Sequence, residues 1–459
     1  MEDVEKDIMR GEFRGDFTRD TFNPKKNYSR VLMQQGRVQV DADWNEQVSI
    51  HLHYLRNLAR DLGGPHWGPK EGGGFVITSS IEKNDFSIGK GRYYVNGILC
   101  EVGADMTYTY RNQPNYFISK EEKDQNIISD SGFALIYLDV WERHISYVED
   151  DAIREVALGG PDTATRAKII WQVKMISLSK NPGPDSFKGN YADFLNAIAA
   201  VVKPGGGKLQ ARAKDKSKND TEPCLVAPES RYRGAENQLY RVEIHRKSST
   251  ESQATFKWSR ENAAVIFPIL ERIDINESTV LSLEHLGRDE RCNLKSDDWV
   301  EIVDDNYILH NRVEELLQVL SIDHENLKVT LKGKSKSDVG AIVDKHPYLR
   351  RWDQKTGDKD GIPVPKIVDK APWIDLEDGI QISFPGTAEG TNYQSGDYWL
   401  IPARTITGDI LWPRNKEDDD PQALLPHGVI HHYAPLATLD QTGNGNIEDL
   451  RRILAIPIE

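Results

Sequence analysis

The N-terminal part of the chain carries apolar residues in two successive patterns. In the first, Tyr28 to Val40 contain apolar side chains without a helical period, which predicts an extended arm rather than a helix. A turn signal, Asn23-Pro24, precedes this arm, and proline disfavours a helical backbone at the residue before it. The segment from Gly15 to Val40 is therefore predicted to be extended and to lack a core of its own.

The second pattern predicts an amphipathic helix that begins close to residue 43. Asp43 is the predicted N-cap, and Glu46, three residues later, is its capping-box partner. Gly63 and Gly64 end the helix, and Pro65 prevents its continuation. One apolar stripe, about five turns long, follows the spacing of Trp44, Val48, Leu52, Leu55, Leu58 and Leu62.

An arm followed by an amphipathic helix can dock on the core of its own chain or on a neighbouring subunit. The sequence leaves both alternatives open, and for the second it predicts a subunit interface within an N-terminal unit of residues 1–70. The predicted interface residues are Phe17, Phe22, Tyr28, Trp44, Val48, Leu52, Leu55, Leu58 and Leu62.

After three consecutive glycines at 72–74, short β-strand patterns follow one another. Arg92–Val95 and Ile98–Val102 flank the dipeptide Asn96-Gly97, which is the strongest short-range signal for a β-hairpin. Phe133–Trp141 is almost entirely apolar and predicts a buried strand. Residues 71–235 are thus predicted to form a β-rich domain.

Two further segments interrupt this β-rich domain. Apolar residues at helical spacing predict a helix over about residues 190–202. The polar, basic segment Lys208–Asn219 then predicts a mobile solvated loop, with an assembly contact as the alternative.

From Leu239 onwards the patterns are almost all those of short strands separated by turn residues. They predict a small β-barrel or sandwich over residues 236–335 and a C-terminal β-rich domain over residues 336–459. The predicted fold class is therefore mainly β, with several small barrel or sandwich modules, an N-terminal extended arm and an amphipathic helix. Counting the helices, it is α+β overall.

Composition narrows the function classes. The chain has 459 residues, 38% of them hydrophobic, and a net charge of −14, which argues against general nucleic-acid binding. The acidic N-terminus MEDVEKDIMRGEF lacks the apolar core of a Sec signal, and no apolar run approaches the roughly 18 residues of a spanning helix. Three widely spaced cysteines favour folding in a reducing cytoplasm without disulfides or a CxxC metal site. We therefore expect a soluble protein without membrane insertion.

The motifs of common enzymes are missing. The chain contains no GxxxxGK[ST], GxSxG or HExxH motif, so we expect no enzyme activity and no cofactor. Asp41-x-Asp43-x-Asn45 resembles the start of a calcium loop, but Glu46 and Leu52 occupy the positions where that loop needs glycine and glutamate.

Three weaker chemical possibilities remain as alternatives. His427, His431 and His432 offer imidazoles to a metal, although no helix aligns them, so we expect no metal site. Glu142 and Glu261 are one arbitrary choice of glycosidase pair. A sugar-stacking platform could consist of Tyr398, Trp399 and Trp412, but aromatic residues in sheets more often belong to a core.

Long runs of the sequence include GDFTRDTFNPKKNYSRVLMQQGRVQVDADWNEQ, VWERHISYVEDDAIREVALGGPDTATRAKIIWQVK and YQSGDYWLIPARTITGDILWP. They resemble one uncharacterised protein family encoded in the gene clusters of bacterial phage-tail-like contractile injection systems. The resemblance extends from Gly15 to about Ala437. It brings no known catalytic residue, and it implies a particle component at the baseplate or its periphery.

The main hypothesis is therefore a structural subunit that contacts baseplate, spike or sheath proteins and copies of itself. We expect assembly in the bacterial cytoplasm, in a particle that is either released or anchored at a membrane. The alternative is a carbohydrate-binding or glycan-cleaving tail protein, which would gather aromatic residues and carboxylates in one open groove.

Overall fold

In the computed structural model of this protein, the described residues are 11–79, 85–117, 132–178, 187, 190–199, 201–202, 205–214, 231–249, 252–365, 371–386, 393–440 and 446–454. The α-helices are α1 (Asp41–Gly63), α2 (Tyr191–Ile198) and α3 (Asp305–Leu309). Single 3₁₀ turns span Pro24–Lys26, Asp151–Ile153, Val156–Leu158 and Val343–Lys345.

Twenty-five strands are described. The first nine are β1 (His66–Pro69), β2 (Ile77–Ser79), β3 (Phe86–Ile88), β4 (Gly91–Val95), β5 (Ile98–Val102), β6 (Tyr108–Thr109), β7 (Phe133–Ile145), β8 (Arg166–Leu178) and β9 (Gln210–Ala213). The next eight are β10 (Gln238–Arg246), β11 (Thr255–Ser259), β12 (Ile266–Ile275), β13 (Ser278–Leu283), β14 (Trp299–Val303), β15 (Leu317–Asp323), β16 (Lys328–Lys332) and β17 (Tyr348–Trp352). The last eight are β18 (Ile362–Pro363), β19 (Ile374–Asp375), β20 (Ile380–Ser383), β21 (Tyr398–Arg404), β22 (Asp409–Ile410), β23 (His432–Asp440), β24 (Ile447–Asp449) and β25 (Ile453–Leu454).

Three small sheets enclose the first core. Their strand orders are β25-β1-β4-β5, β2-β3-β6 and β24-β23-β7-β8. Phe75, Tyr93, Leu138, Val173 and Leu436 are buried together among them. The long β7 and β8 pair from Phe133↔Leu178 to Ile145↔Arg166, so the predicted buried strand is present and extends past its predicted end.

Helix α2 covers the other face of β7. Asn190 caps it by accepting a hydrogen bond from the backbone N–H of Asp193, as expected for an Asn N-cap. Phe194 and Ile198 pack against Leu135 and Tyr137 of β7. The helix predicted near 190–202 is therefore present, and it ends at Ile198.

Six strands form a closed barrel in the order β12-β13-β16-β15-β14-β17. Side chains alternate along these strands, and every second one fills the barrel interior. The fully buried interior residues include Phe267, Leu281, Val300, Val329, Leu331 and Leu349. A barrel was predicted for residues 236–335, but its closing strand β17 lies beyond residue 335.

The second core lies between a five-stranded sheet, β18-β11-β10-β21-β22, and a three-stranded sheet, β19-β20-β9. Both combine strands that are far apart in sequence: β10 pairs with β21, and β9 with β20. β23 likewise pairs with β7. The sheets therefore interleave the predicted units 71–235, 236–335 and 336–459.

Part of the predicted basic loop 208–219 is a strand instead. β9 spans Gln210–Ala213 and pairs with β20, and Leu209 and Ala211 are buried. The loop prediction is wrong for these residues because alternating small and polar side chains suffice for a short strand once a partner strand is present. Residues 215–219 lie outside the described residues.

The predicted mainly β fold class with an N-terminal arm and helix is confirmed. Among the described residues, no helix is long and apolar enough to cross a lipid bilayer.

Candidate functional site

The segment Gly11–Thr18 is bound to the body of the protein by hydrogen bonds and ion pairs. The hydroxyl of Tyr398 donates to the carbonyl of Gly11 at 2.7 Å. The side-chain amide of Asn262 donates to the carbonyl of Gly15 at 2.9 Å. The first part of the predicted arm is therefore anchored to its own chain.

A buried cluster of charges fixes this anchor, and we call it the charged junction: Arg14, Arg241, Glu243, Lys257 and Glu301. Arg14 Nη1 and Arg241 Nε each lie 2.7 Å from Glu243 Oε2. Lys257 Nζ lies 2.7 Å from Glu301 Oε1. None of the five is more than 8% exposed, so each charge depends on its partners rather than on water.

The charged junction keeps its carboxylates ionised. Burial alone would raise the pKa of Glu243, but Arg14, Arg241 and Lys257 outweigh burial and hold that pKa well below its usual range. For Glu301 the same competition between burial and Lys257 lowers the pKa to about 2. The junction is therefore a paired structural network.

Beyond Thr18 the chain leaves the body and lies along α1. The hydroxyl of Thr21 donates to Glu46 Oε2 at 2.6 Å. The backbone N–H of Val31 donates to Gln47 Oε1 at 2.7 Å. These bonds fold the arm back onto the helix, so arm and helix form one surface.

The start of α1 differs from the prediction. The helix begins at Asp41, and its N-cap residue Val40 makes no side-chain cap bond. Asp41 accepts hydrogen bonds from the backbone N–H and the hydroxyl of Thr18, at 2.9 and 2.6 Å. The predicted capping box of Asp43 and Glu46 is wrong, because the arm supplies the donors that pair with the first-turn acids.

Helix α1 contacts the body through a narrow side that carries both apolar and polar residues. Ala42, Ser49 and Ile50 are its buried positions ahead of the terminal glycine. On the same side, Arg56 Nη2 pairs with Glu142 Oε2 of β7 at 2.9 Å. The helix therefore docks through this narrow mixed side and not through its apolar stripe.

The hairpin turn between β4 and β5 lets α1 approach closely. Asn96 and Gly97 have φ of 46° and 80°, as the tight hairpin turn predicted for this dipeptide requires. A Cβ on Gly97 would lie 2.2 Å from the carbonyl oxygen of Arg56. Glycine is needed here both for the backbone conformation and for the helix contact.

The apolar stripe of α1 faces away from the body. Leu55 and Leu62 are 62% and 67% exposed, whereas Ile50 on the opposite side is 1% exposed. Apolar residues of the arm extend the same surface, which we call the arm–helix surface. It comprises Tyr28, Leu32, Met33, Val38, Val40, Trp44, Val48, Tyr54, Leu55, Leu58 and Leu62, each at least 40% exposed.

The predicted interface residues fall into two groups. Tyr28, Trp44, Val48, Leu55, Leu58 and Leu62 belong to the arm–helix surface. Phe17, Phe22 and Leu52 are half-buried. The ring of Phe17 lies 6.3 Å from that of His144, and the ring of Phe22 lies 5.8 Å from that of His53, so both phenylalanines hold the arm on its own chain.

A small cavity lies between the turn of the arm and α1. Its volume is about 40 Å³, little more than the roughly 30 Å³ that one water occupies in the liquid. Its lining consists of Phe22, Asn23, Pro24, Asn27, Tyr28, Glu46, His53 and Tyr54. The cavity is a recess between the arm and α1, and it is too small for a substrate.

The three histidines singled out by sequence contact different residues, and the ring of His427 lies 5.9 Å from that of Tyr398. His431 Nδ1 lies 2.6 Å from Asp139 Oδ1. His432 Nδ1 lies 3.1 Å from the side-chain nitrogen of Asn96, and burial lowers the pKa of His432 to about 4. Within the part of the chain that the structure describes, no group of three or more His, Cys, Asp or Glu side chains is placed to hold a metal ion.

The predicted sugar-stacking platform is not at the surface. Tyr398, Trp399 and Trp412 are 3%, 0% and 8% exposed. Trp399 and Trp412 belong to the second core, and Tyr398 packs its ring on the guanidinium of Arg241, 3.6 Å away. The burial of all three rings contradicts the platform alternative and agrees with the core interpretation that the sequence favoured.

The two candidate glycosidase carboxylates lie in different surroundings. Glu142 pairs with Arg56 of α1. Glu261 pairs with Arg291 at 3.0 Å and Arg351 at 3.4 Å, and burial together with Asp353 raises the pKa of Glu261 to about 8. Among the described residues, Glu142 and Glu261 share no ion-pair partner. The structure therefore gives no reason to treat them as an acid–base pair.

Sequence reasoning missed the charged junction. Its signal is present in β10, where Arg241, Glu243 and His245 alternate with apolar residues in a strand that is buried on both faces. It also left Leu32, Met33, Val38 and Val40 out of the predicted interface. Their signal was an apolar content without a helical period.

A family model described as a family of unknown function (DUF6519) matches residues 13–208 and 190–448. No curated protein and no solved structure matches the chain.

Proposed function

Since the chain belongs to the DUF6519 family of unknown function, we propose from its own residues that it is a structural subunit of a bacterial phage-tail-like contractile injection particle. Its place is at the baseplate or its periphery. It is incorporated through the arm–helix surface, by contacts with baseplate, spike or sheath proteins and with copies of itself. Assembly takes place in the bacterial cytoplasm.

The observation that carries this proposal is the outward orientation of the α1 stripe. Fully burying an exposed leucine side chain contributes about 1.5–3 kcal/mol, and four leucines of the arm–helix surface are 57% to 70% exposed. An exposed apolar surface of this extent is typical of a protein–protein contact. The sequence resemblance to proteins of injection-system gene clusters supplies the kind of particle.

The glycan alternative has no comparable support. Its aromatic candidates are buried, and its candidate carboxylates are engaged in separate ion pairs. We therefore propose an assembly role alone.

The test compares two aspartate substitutions in bacteria that produce the particle. Leu55→Asp places a charge in the arm–helix surface, where Leu55 is 62% exposed. Leu320→Asp is the matched control, because Leu320 is 57% exposed on the barrel. Truncating an interface anchor typically costs about 2 kcal/mol or more, so we expect Leu55→Asp to reduce incorporation at least about tenfold and Leu320→Asp to leave it unchanged.

Incorporation is measured by quantitative mass spectrometry of purified particles, and folding of both variants by circular dichroism. Particles that contain Leu55→Asp at the wild-type level contradict the role of this surface. A wild-type chain that is missing from purified particles contradicts the proposed function itself.

A further inference from the structure

The outer part of the arm, residues 21–40, carries charge of one sign only. Residues 21–40 contain Lys25, Lys26, Arg30 and Arg37 and no acidic residue. All four cations are exposed, and among the described residues none of them forms an ion pair. The arm therefore presents four unneutralised positive charges beside the apolar residues of the arm–helix surface.

The rest of the chain has the opposite charge. Removing the charge of +4 carried by residues 21–40 from the net charge of −14 leaves −18 for the remaining residues. Two such acidic bodies repel each other when they approach. The arm is one place where a positive surface can face an acidic one.

From this complementarity we infer that the arm–helix surface docks on the acidic body of a second copy of the same chain. The contact is arm-on-body: the cations of one arm face carboxylates of the next copy, and the apolar residues of arm and α1 are buried between them. This inference rests on the proposed function only for its setting in a particle, and it names the partner of the surface.

Charge excludes the simplest alternative, which is pairing of two arms. An arm-on-arm contact would bring four cations against four cations, and like charges across an interface oppose association. Salt then discriminates between the two arrangements. Screening weakens the attraction in an arm-on-body contact, and it relieves the repulsion in an arm-on-arm contact.

The arm is also held ready for such a contact. Its bonds to α1, from Thr21 to Glu46 and from Val31 to Gln47, fold it on the helix. Less conformational entropy is then lost when a partner binds than for a free tail. The glycine at position 36, with φ of 70° and no atom within 4 Å of an added Cβ, allows the chain to turn without contacting the body.

The test measures self-association of the purified full-length chain by sedimentation velocity at about 50 mM and about 500 mM NaCl. We expect an oligomer at low salt whose dissociation constant rises at least about tenfold at high salt. The variant Lys25→Glu/Lys26→Glu/Arg30→Glu/Arg37→Glu is expected to be monomeric at both salt concentrations.

A control variant distinguishes loss of the arm contact from a general increase in repulsion between two more acidic chains. Lys295→Glu/Lys328→Glu/Lys332→Glu/Lys416→Glu changes the net charge equally, at exposed lysines outside the arm. It should retain the wild-type dissociation constant within about threefold. Equal loss of association in both variants contradicts an arm-specific contact.

Two further outcomes overturn the inference. Association that strengthens with salt indicates arm-on-arm pairing. A wild-type chain that stays monomeric at all salt concentrations shows that the surface does not bind a second copy. In that case normal incorporation into particles, and its loss in Leu55→Asp, would still support the proposed function with a different subunit as partner.

Discussion

The charged junction and the arm–helix surface involve consecutive parts of one N-terminal segment. The junction buries charged side chains, whereas the arm–helix surface exposes apolar ones. In the junction, Arg14 is buried among charged side chains of the body. In the arm–helix surface, apolar side chains such as Leu55 and Leu62 lie in water.

This difference shows what each part requires. Buried charges are tolerated only when partners are fixed around them, and the junction provides those partners within the chain. An exposed apolar surface is tolerated when the cores are satisfied elsewhere, and it is useful when a partner covers it. The segment thus has one end whose charges are paired within the chain and one end whose apolar side chains are exposed.

The largest expected effect comes from breaking the junction. Glu243→Gln leaves Arg14, Arg241 and Lys257 buried with less negative charge around them. Removing one partner of a buried ion pair destabilises by about 3–5 kcal/mol. Urea denaturation should show this loss, while Glu101→Gln at an exposed position should change stability by less than about 0.5 kcal/mol. A variant as stable as wild type would mean that the junction is energetically neutral.

The next largest effect on stability is expected from one of two substitutions on opposite sides of α1. Ile50→Ala removes a side chain that is 1% exposed, and a buried truncation of this kind costs about 2–5 kcal/mol. Leu55→Ala, at 62% exposure, should change monomer stability by less than about 0.5 kcal/mol. Thermal unfolding of the dissociated chain measures both. Equal losses would show that the stripe of α1 packs on its own body.

Acid should lower the free energy of unfolding through His245, which lies in β10 two residues after Glu243 of the charged junction. Burial, with Lys257 as the next contribution, lowers the pKa of His245 to about 3, so the folded state keeps this ring neutral. The unfolded chain binds a proton near pH 6.5, so this part of the stability is complete above pH 6.5 and is lost as the pH falls towards 3.

His245→Leu should therefore reduce the slope of the unfolding free energy between about pH 6 and pH 5 by up to about 1.4 kcal/mol per pH unit. The exposed His324→Leu serves as control and should leave the slope unchanged. Nearby charged groups are Lys257, Arg246, Glu243 and Glu301. An unchanged slope in His245→Leu would mean that the ring is already protonated or accessible to water.

The smallest effect concerns how the helix rests on the body. Gly97→Ala introduces a Cβ at φ 80° and places it 2.2 Å from the carbonyl of Arg56. Gly36→Ala has a similar φ of 70° but no atom within 4 Å. Left-handed backbone alone costs alanine about 1–2 kcal/mol, so we expect Gly97→Ala to exceed Gly36→Ala by about 1 kcal/mol or more. Equal costs in chemical denaturation would show that α1 shifts freely away from the hairpin.

Local patterns in the sequence determined several elements of this protein. The spacing of apolar residues predicted α1 and α2, the apolar run beginning at Phe133 predicted β7, and Asn96-Gly97 predicted its hairpin. These signals are local because hydrogen bonds within a helix or across a tight turn connect residues that are close in the chain. The same local signals predicted that the stripe of α1 is a docking face.

Only the tertiary structure decided which residues each face of a helix or strand contacts. The stripe of Leu55 and Leu62 is compatible with an intrachain core or with solvent. The structure instead places Ile50 and the ion pair of Arg56 with Glu142, two residues far apart in sequence, on the side of α1 that faces the body. The partners of Glu243, the pairing of β9 with β20 and the burial of Trp399 likewise depend on residues distant in sequence. Periodicity shows that a residue has a preferred side but does not show what lies on that side, because non-local contacts are set by the packing of the whole chain.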